Sequence, residues 1–590
     1  MIPQDPHSYR DPAQPAIRHI EFDFYFDFQA RTTRGRARYA LDRPGAGPLF
    51  LDTHAIKIQR VQAGEASVAW TFDAEDAILG RRLSLQLPPD ADAFEIDFHL
   101  PPTARALQWM EASQTAGGKH PFLYSQCQAI HARSLFPCQD TPSVRFTYRA
   151  RLHVPKSLVG LMAAAPEGQS EQDGKNVFTF HMPQPIPSYL FGLAVGDLTW
   201  RDISSRCRIY AEPPLIEAAA WEFAETEQML QIAEGLYGPY LWDRYDLLIL
   251  PRSFPYGGME NPRLTFANAI FLTGDRADTS LVAHELAHSW TGNLVTNATW
   301  EDFWLNEGWT TYAEFRICER LYGQEYVELA AVCDRNLLFE DYERFRPTPQ
   351  YTQLKFPMLG VDPEDTFSRV PYYKGLFLLM LIEQSVGREV FDAFIHRYIR
   401  EHAFRSLTTE QFLAYLRQNL PQAFEGVAIE QWIYQPGYPA DGPVFRSRAF
   451  EAVEAAAESF IAGGRITKSL IARWSPDQVV LFLQLLPQTL PAAACRQLDQ
   501  TLDMPHCRRF ITQSLFYSLA IRSGYHAVWP RAEALLLASG SRLSLMRLFR
   551  TVAQAPWTRS KARAVYERAK PGYHPLTQQE IERLLSDEGL

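Results

Sequence analysis

Two histidines near the middle of the chain have a spacing that suits metal binding. His284 and His288 lie in the segment Leu281-Val-Ala-His-Glu-Leu-Ala-His-Ser-Trp290, and residues four apart share one face of a predicted helix. Zinc binds neutral imidazole, and a catalytic zinc site takes a third protein ligand while one position stays open. Glu307, on the next predicted helix, is the predicted third ligand. We expect these three side chains to bind one Zn²⁺ per chain.

Two further glutamates belong to the same predicted site. Glu285 lies next to His284 but outside the ligand set, so we expect it to be the general base that takes a proton from an attacking water. Glu314 lies two turns after Glu307 on the same predicted helix face, where it could accept the second N–H of a ligand histidine. The alternative is a metal-free core in which backbone carbonyls satisfy both histidines. The predicted chemistry is hydrolysis by a metal-activated water.

The elements that position these residues follow from the hydrophobic periodicity. Alternation with period two in residues 20–28, 94–100 and 146–154 predicts an antiparallel β domain over residues 1–198. Helical segments mixed with a few strands predict an α+β domain over residues 199–435, which contains the predicted metal site. Residues 436–443 are rich in Pro and Gly and predict a linker, because they cannot extend a helix. Amphipathic helices predict an all-α domain over residues 444–590. The predicted fold class is therefore multidomain α+β.

Composition and charge limit the classes of partner. The chain has 590 residues, a formal net charge of −10 and a pI near 5.9, which gives no broad positive field to attract nucleic acid. The apolar run Leu376–Ile382 is far shorter than the roughly 20 residues of a membrane span, and residues 1–6 show no signal-peptide pattern. Seven cysteines without a Cys-x-x-Cys pair predict buried reduced thiols. We therefore expect a cytoplasmic monomer without nucleic-acid or membrane partners.

Several motifs taken together resemble those of the gluzincin zinc aminopeptidases. They are Pro255-Tyr-Gly-Gly-Met-Glu-Asn261, the His-Glu-x-x-His segment with Glu307 after a gap of eighteen residues, and Pro371-Tyr-Tyr-Lys-Gly375. The segments 125–131 and 137–144 are similar to those of the subgroup that contains leukotriene A4 hydrolase and aminopeptidase B. The resemblance covers essentially the whole chain. It implies a thermolysin-like catalytic domain and a C-terminal helical-repeat domain that closes over the cleft.

The resemblance also implies roles for individual residues. Glu260 matches the glutamate that binds the substrate's free α-ammonium, and Gln128 would help to hold that amine. Tyr372 matches the tyrosine that stabilises the oxyanion. Arg559 and Lys561 resemble the basic pair that receives the carboxylate end of a short peptide. The other expected substrate-binding residues belong to the first motif and are Tyr256, Gly257, Gly258 and Met259.

The predicted function is zinc-dependent hydrolysis of the N-terminal residue from short peptides. Two positions depart from the leukotriene hydrolase pattern: Phe367 replaces a tyrosine, and Glu364 replaces the aspartate needed for water attack on an epoxide. Epoxide hydrolysis is therefore the alternative within the enzyme class. A noncatalytic peptide-binding scaffold is the rival from another class, and the presence of Glu285 and of all three predicted ligands argues against it.

Overall fold

The computed structural model describes residues 4–45, 47–445 and 447–590. Its first part is built from β-strands. The largest sheet has eight strands, in the spatial order Ala165–Gln172, Lys175–Pro187, Arg145–Pro155, Ile17–Asp27, Thr32–Leu41, Ala93–Leu100, Lys57–Ala63 and Ala66–Ser67. A three-stranded sheet contains Pro48–Thr53, Arg81–Gln86 and Ala69–Phe72, and a four-stranded sheet contains Val159–Met162, Leu193–Gly196, Phe122–Ser125 and Leu107–Met110.

The predicted alternation of buried and exposed side chains is visible in these strands. Ile20, Phe22, Phe24 and Phe26 are buried, while the residues between them are half-buried or exposed. One pair departs from the antiparallel prediction, because Ile17–Asp27 runs parallel to Arg145–Pro155. Both orientations bury every second residue, so periodicity could not distinguish them.

The middle part of the chain mixes helices with a five-stranded sheet. The sheet order is Thr199–Asp202, Arg208–Ala211, Asp246–Leu250, Leu264–Asn268 and Gly258–Met259. The last of these is a short edge strand, antiparallel to Leu264–Asn268. Val295–Asn297 pairs in parallel with Arg405–Leu407. The helices are Ile216–Glu222, Thr226–Tyr237, Ser280–Ala287, Trp304–Tyr322, Gln324–Arg344, Gly375–Val386, Arg388–His402, Thr409–Asn419, Ala423–Gly426 and Ile429–Tyr434.

The last part of the chain is helical over the residues that the structure describes. Its helices are Arg448–Ile461, Lys468–Ile471, Pro476–Leu485, Ala492–Thr501, Phe510–Arg522, Trp529–Ala538, Arg542–Gln554, Ala562–Ala569 and Pro575–Asp587. Their apolar faces form a second hydrophobic core, which also contains Ile270, Leu329, Val332 and Cys333 of the middle part. No helix within the described ranges is long and apolar enough to cross a membrane. The order of the β, α+β and α parts along the chain agrees with the predicted fold class.

Candidate active site

Two helices bring the predicted metal ligands to one point. His284 lies in helix Ser280–Ala287, His288 immediately follows that helix, and Glu307 lies in the first turn of Trp304–Tyr322. The Nε2 atoms of the two histidines are 3.2 Å apart, and Glu307 Oε2 lies 3.3 Å from one and 3.5 Å from the other. Ligand atoms at 2.0–2.1 Å from a tetrahedral zinc are about 3.3 Å apart, so the three atoms fit such an ion.

The outer nitrogens of both imidazoles face hydrogen-bonding partners. His284 Nδ1 is 3.0 Å from Glu314 Oε2, and His288 Nδ1 is 3.1 Å from the carbonyl oxygen of Thr291 and 3.1 Å from Thr310 Oγ1. A proton on each Nδ1 satisfies these acceptors and leaves both Nε2 lone pairs for a metal. Oε2 of Glu307 has no hydrogen-bond partner within the described part of the chain, which is consistent with a site built for a cation.

Buried carboxyl groups crowd this cleft. Glu260, Glu285 and His288 each place a ligand-type atom within 4.8 Å of the others. The pKa of Glu285 is raised to about 8, chiefly by burial; the charge of His284 opposes this rise, and the charges of Glu307 and Glu314 add to it. Burial, and then the charges of Glu307 and Glu285, hold the pKa of Glu260 well above its ordinary value. Positive charge entering the cleft would stabilise the ionised forms of these groups.

The edge strand Gly258–Met259 passes directly over the predicted base. A Cβ atom at Gly258 would overlap the carboxyl group of Glu285, so this position requires a glycine for space. The backbone N–H of Asn268 donates to the Gly257 carbonyl at 2.9 Å, and Asn293 Nδ2 donates to the Glu260 carbonyl at 2.7 Å. These bonds fix the strand above Glu285 and leave Oε1 of Glu260 buried, with no partner among the residues described.

Tyr372 lies beside the predicted metal ligand His284. It belongs to the short helical turn Val370–Lys374, and its ring stacks on His284 with 5.9 Å between the centroids. Burial, followed by the charges of Glu307 and Glu260, holds the pKa of its phenol well above the ordinary value. The hydroxyl therefore stays protonated at neutral pH and can donate a hydrogen bond.

One cavity joins most of the predicted site residues. Its lining includes Gln128, Tyr256, Gly257, Gly258, Glu260, His284, Glu285, His288, Glu307 and Tyr372. Nε2 of Gln128 is buried and has no partner within the described ranges. Phe367 and Glu364 line an adjoining apolar pocket that also contains Trp300, Phe303, Leu354, Phe356 and Met358. Because Gln128, Tyr256 and Phe367 line both spaces, the pocket opens next to the cleft.

Three predicted substrate-binding residues do not line the cleft. Met259 is buried and accepts a hydrogen bond from Gln126 Nε2, because neighbouring side chains of a strand point to opposite faces. Arg559 donates to the carbonyls of Ala553 and Glu588 in the helical domain. Lys561 lies 4.5 Å above the ring of Trp529. The carboxylate-binding role expected of Arg559 and Lys561 stays a prediction; both side chains contact neighbours within the helical domain.

Arg542 of the helical domain binds Tyr256 and Glu364, two residues that line the cavities, and the sequence reasoning missed it. Its backbone N–H donates to the Pro255 carbonyl at 3.0 Å, and its Nη1 donates to Tyr256 OH at 3.2 Å and to Glu364 Oε2 at 2.5 Å. Its Nε donates to Glu580 at 2.9 Å. Ser541, the residue before it, lines the metal cleft. The Gly540-Ser541 break before the helix was a weak signal, since Gly commonly marks a close backbone approach.

Glu364 is held by all three parts of the molecule. Its Oε2 accepts from Arg542, its Oε1 lies 3.2 Å from His131 Nε2, and Tyr256 OH lies 3.4 and 3.5 Å from its two oxygens. Burial opposes ionisation, but the charge of Arg542 and the contacts to His131 outweigh it and lower the pKa of Glu364 to about 2. Glu364 is therefore an ionised, fully engaged carboxylate.

Comparisons with known proteins agree with this geometry along the whole chain. Residues 221–432 match the family model for the peptidase family M1 domain, residues 14–190 match the peptidase M1 N-terminal domain, and residues 474–585 match the C-terminal domain of leukotriene A4 hydrolase. Leukotriene A-4 hydrolase of Xenopus laevis is 37% identical over 598 residues, covering 97% of this chain and 98% of that protein. Leucine aminopeptidase 2 of Sclerotinia sclerotiorum is 33% identical over 613 residues, covering 99% and 100%.

Solved structures show the same similarity. Yeast LTA4 hydrolase in complex with bestatin superposes with a TM-score of 0.92 at 31% identity, covering 99% of this chain and 97% of that one. An M1 zinc metallopeptidase from Deinococcus radiodurans has a TM-score of 0.61 at 22% identity and covers 75% of this chain, which indicates a shared fold.

Proposed function

The chain belongs to the M1 peptidase family and is a zinc-dependent aminopeptidase, and on this premise we propose which residues perform each part of the reaction. The observation that carries the proposal is the convergence of His284, His288 and Glu307 beside the buried carboxyl groups of Glu285 and Glu260. The three converging side chains hold one Zn²⁺ per chain. When bound, zinc polarises the scissile carbonyl and lowers the pKa of water.

Glu285 moves the proton in this proposal. Its carboxylate takes a proton from the attacking water, whose oxygen bonds to the carbonyl carbon, and then delivers that proton to the leaving amine as the C–N bond breaks. The backbone at Gly258 covers the carboxyl group, and this cover limits its access to bulk solvent. A cation held by the metal ligands would favour the ionised form of this buried carboxyl group, so that it can accept the proton and return it near neutral pH.

Glu260 sets the register of cleavage. Its buried carboxylate would pair with the α-ammonium of the substrate, with the amide of Gln128 as a second contact, and this places the first peptide bond at the metal ligands. The α-ammonium would add a positive charge beside the buried carboxyl groups of Glu260 and Glu285. A substrate without a free amine would leave Glu260 buried and unpaired, which is costly.

Tyr372 stabilises the oxyanion. Its ring stacks on the ligand His284, and a buried neutral phenol is a strong directional donor. Because the negative charge develops only as the carbonyl is attacked, we expect this contact to act on kcat more than on KM.

The apolar pocket beside the cleft receives the side chain of the N-terminal residue. It is lined by Trp300, Phe303, Leu354, Phe356 and Met358, so we propose a preference for apolar residues such as leucine or methionine. Glu364 also lines this pocket, but Arg542 and His131 already engage its oxygens. The same engagement argues against the alternative of epoxide hydrolysis, because a carboxylate that is committed to an ion pair is a poor base for activating water.

The remaining proposals concern the organisation of the chain. We propose domain boundaries at residues 198, 435 and 443, supported by the five-stranded sheet beginning at Thr199 and by the family matches on either side. Short peptides are the proposed substrates. A monomeric, cytoplasmic protein is supported by the acidic charge and by seven cysteines that are all free.

The register proposal is tested with one tripeptide in two forms. Leu-Gly-Gly and its N-acetylated form are incubated with the zinc-loaded wild type, with Glu260→Gln, and with Glu325→Gln, an exposed control. We expect the wild type and the control to release leucine from the free peptide and to leave the acetylated peptide intact. Glu260→Gln should lose most of its kcat/KM on the free peptide. Efficient cleavage of the acetylated peptide by the wild type would refute the role of Glu260.

A further inference from the structure

A pair of glycines lies between the metal ligand Glu307 and the tyrosine Tyr372. Gly308 directly follows Glu307 in helix Trp304–Tyr322, and Gly375 begins the helix Gly375–Val386 directly after the turn that carries Tyr372. A Cβ atom at Gly308 would lie 2.8 Å from the Gly375 Cα and 3.0 Å from the Pro371 carbonyl oxygen. A Cβ at Gly375 would lie 2.7 Å from the Gly308 Cα. The two backbones therefore touch without any side chain between them.

Neither glycine is required by its backbone conformation. Gly375 has φ −62° and ψ −49°, an ordinary helical conformation, and Gly308 is not among the glycines with positive φ. In a helix, alanine is more favourable than glycine at such positions. Both glycines must therefore be explained by the close approach of the two helices.

The turn that carries Tyr372 cannot easily move away from this contact. At its start, the Arg369 backbone N–H and Nη1 donate to Asp341 at 2.7 and 3.1 Å. At its end, the buried Lys374 Nζ donates to the carbonyls of Thr352 and Gln435 at 2.9 and 2.8 Å. The turn is thus held at both ends, and the glycine contact sets the distance between the turn and helix Trp304–Tyr322.

We propose that Gly308 and Gly375 are positioning residues that set the distance between the Tyr372 hydroxyl and the metal ligands, an inference that rests on the oxyanion role proposed for Tyr372. Carbon atoms in contact are normally 3.5–4.0 Å apart, so one added methyl group demands a displacement of about 1 Å. A misplacement of that size in a catalytic constellation can lower the rate by about a hundredfold. Substrate affinity depends on Glu260 and the apolar pocket. Because Pro371 lines that pocket, Gly375→Ala, whose Cβ meets the Gly308 backbone, is the first variant to measure.

The test is a double-mutant cycle on the zinc-loaded enzyme. kcat, KM and zinc content are measured for the wild type, Gly375→Ala, Tyr372→Phe and the double variant. We expect Gly375→Ala to keep one zinc and a KM within about threefold while kcat falls about ten- to a hundredfold. In the Tyr372→Phe background the same substitution should change kcat by less than about twofold. Gly235→Ala is the matched control, because Gly235 lies inside helix Thr226–Tyr237 with nothing within 4 Å of an added Cβ.

The outcomes separate this inference from its premise. Equal losses from Gly375→Ala in both backgrounds would overturn the inference, because the methyl group would then act without Tyr372. An unchanged kcat in Tyr372→Phe would remove the oxyanion role, and with it the inference. Gly308→Ala adds a methyl group to the same contact from the other helix, and it should lower kcat as Gly375→Ala does. Failure of both alanine variants to fold with zinc would overturn the proposal in favour of a general packing requirement.

Discussion

Glu364→Gln should destabilise the protein strongly, because the change removes a buried, paired charge while it keeps the size of the side chain. The residue joins Arg542 of the helical domain, Tyr256 of the catalytic domain and His131 of the β domain. The fall of its pKa from 4.5 to about 2 corresponds to about 3 kcal/mol, at about 1.4 kcal/mol for each pKa unit. Removal of one partner from a buried ion pair typically costs about 3–5 kcal/mol. We therefore expect a loss of about 3 kcal/mol at pH 7.

The stability lost in Glu364→Gln should depend on pH in one direction. The pKa of Glu364 is depressed in the folded state, so its stabilisation is present above the unfolded value near 4.5 and is lost as the pH falls towards 2. The difference between the wild type and Glu364→Gln should therefore be constant above about pH 5 and should shrink below about pH 4. A difference that grows on acidification would contradict the ionised state of Glu364.

The assay is urea unfolding followed by tryptophan fluorescence, with a neighbouring control. Asp365→Asn removes a surface pair with Arg583 from the same turn and should cost less than about 1 kcal/mol. Arg542→Met and the double variant complete a cycle, in which the double variant should lose clearly less than the sum of the single losses. A loss below about 0.5 kcal/mol in Glu364→Gln, or strict additivity in the cycle, would refute the reasoning.

Three further predictions concern the cleft. Zinc binding at pH 7 should release about one proton or more, because Glu285, with a pKa of about 8, is largely protonated without metal and a nearby cation favours its ionised form. Calorimetry in buffers of different ionisation enthalpy measures the number of protons released. Zinc binding without proton release would contradict this prediction. Gly258→Ala should abolish peptidase activity because its methyl group overlaps the Glu285 carboxyl, whereas Met259→Leu should keep kcat/KM within about threefold. Arg559→Ala should slow tripeptide hydrolysis and spare aminoacyl anilides if Arg559 receives the substrate carboxylate, whereas equal rates with both substrates would mean that its contacts within the helical domain are its only role.

The metal site was predictable from sequence because its geometry is local. Histidines four residues apart meet on one helix face in almost any helix, and the third ligand needed only a second helix nearby. The strands of the β domain could also be predicted from sequence, because the alternation of apolar and polar residues indicates which side chains are buried. The parallel pairing of Ile17–Asp27 with Arg145–Pro155 could not be predicted, because strand direction is set by the connections between strands and not by the pattern within them.

The distant part of the site depended on tertiary contacts that no local pattern contains. Arg559 and Arg542 both lie in amphipathic helical surroundings, and sequence cannot tell which one faces solvent and which one is buried against another domain. Arg542 is buried because Gly540 brings its helix against the backbone of residues 252–255. Met259 was assigned by its motif, but strand alternation turns its side chain away from the cleft. Such choices are made by packing between domains.

The most direct test of the central claim is Glu285→Gln. The substitution keeps the size of the side chain and leaves His284, His288 and Glu307 unchanged, so metal analysis should still find one zinc per chain. Because the base is lost, kcat on a peptide with a free amine should fall by several orders of magnitude, with KM little changed. Near-native turnover by a zinc-loaded Glu285→Gln enzyme, or loss of zinc from it, would contradict the account.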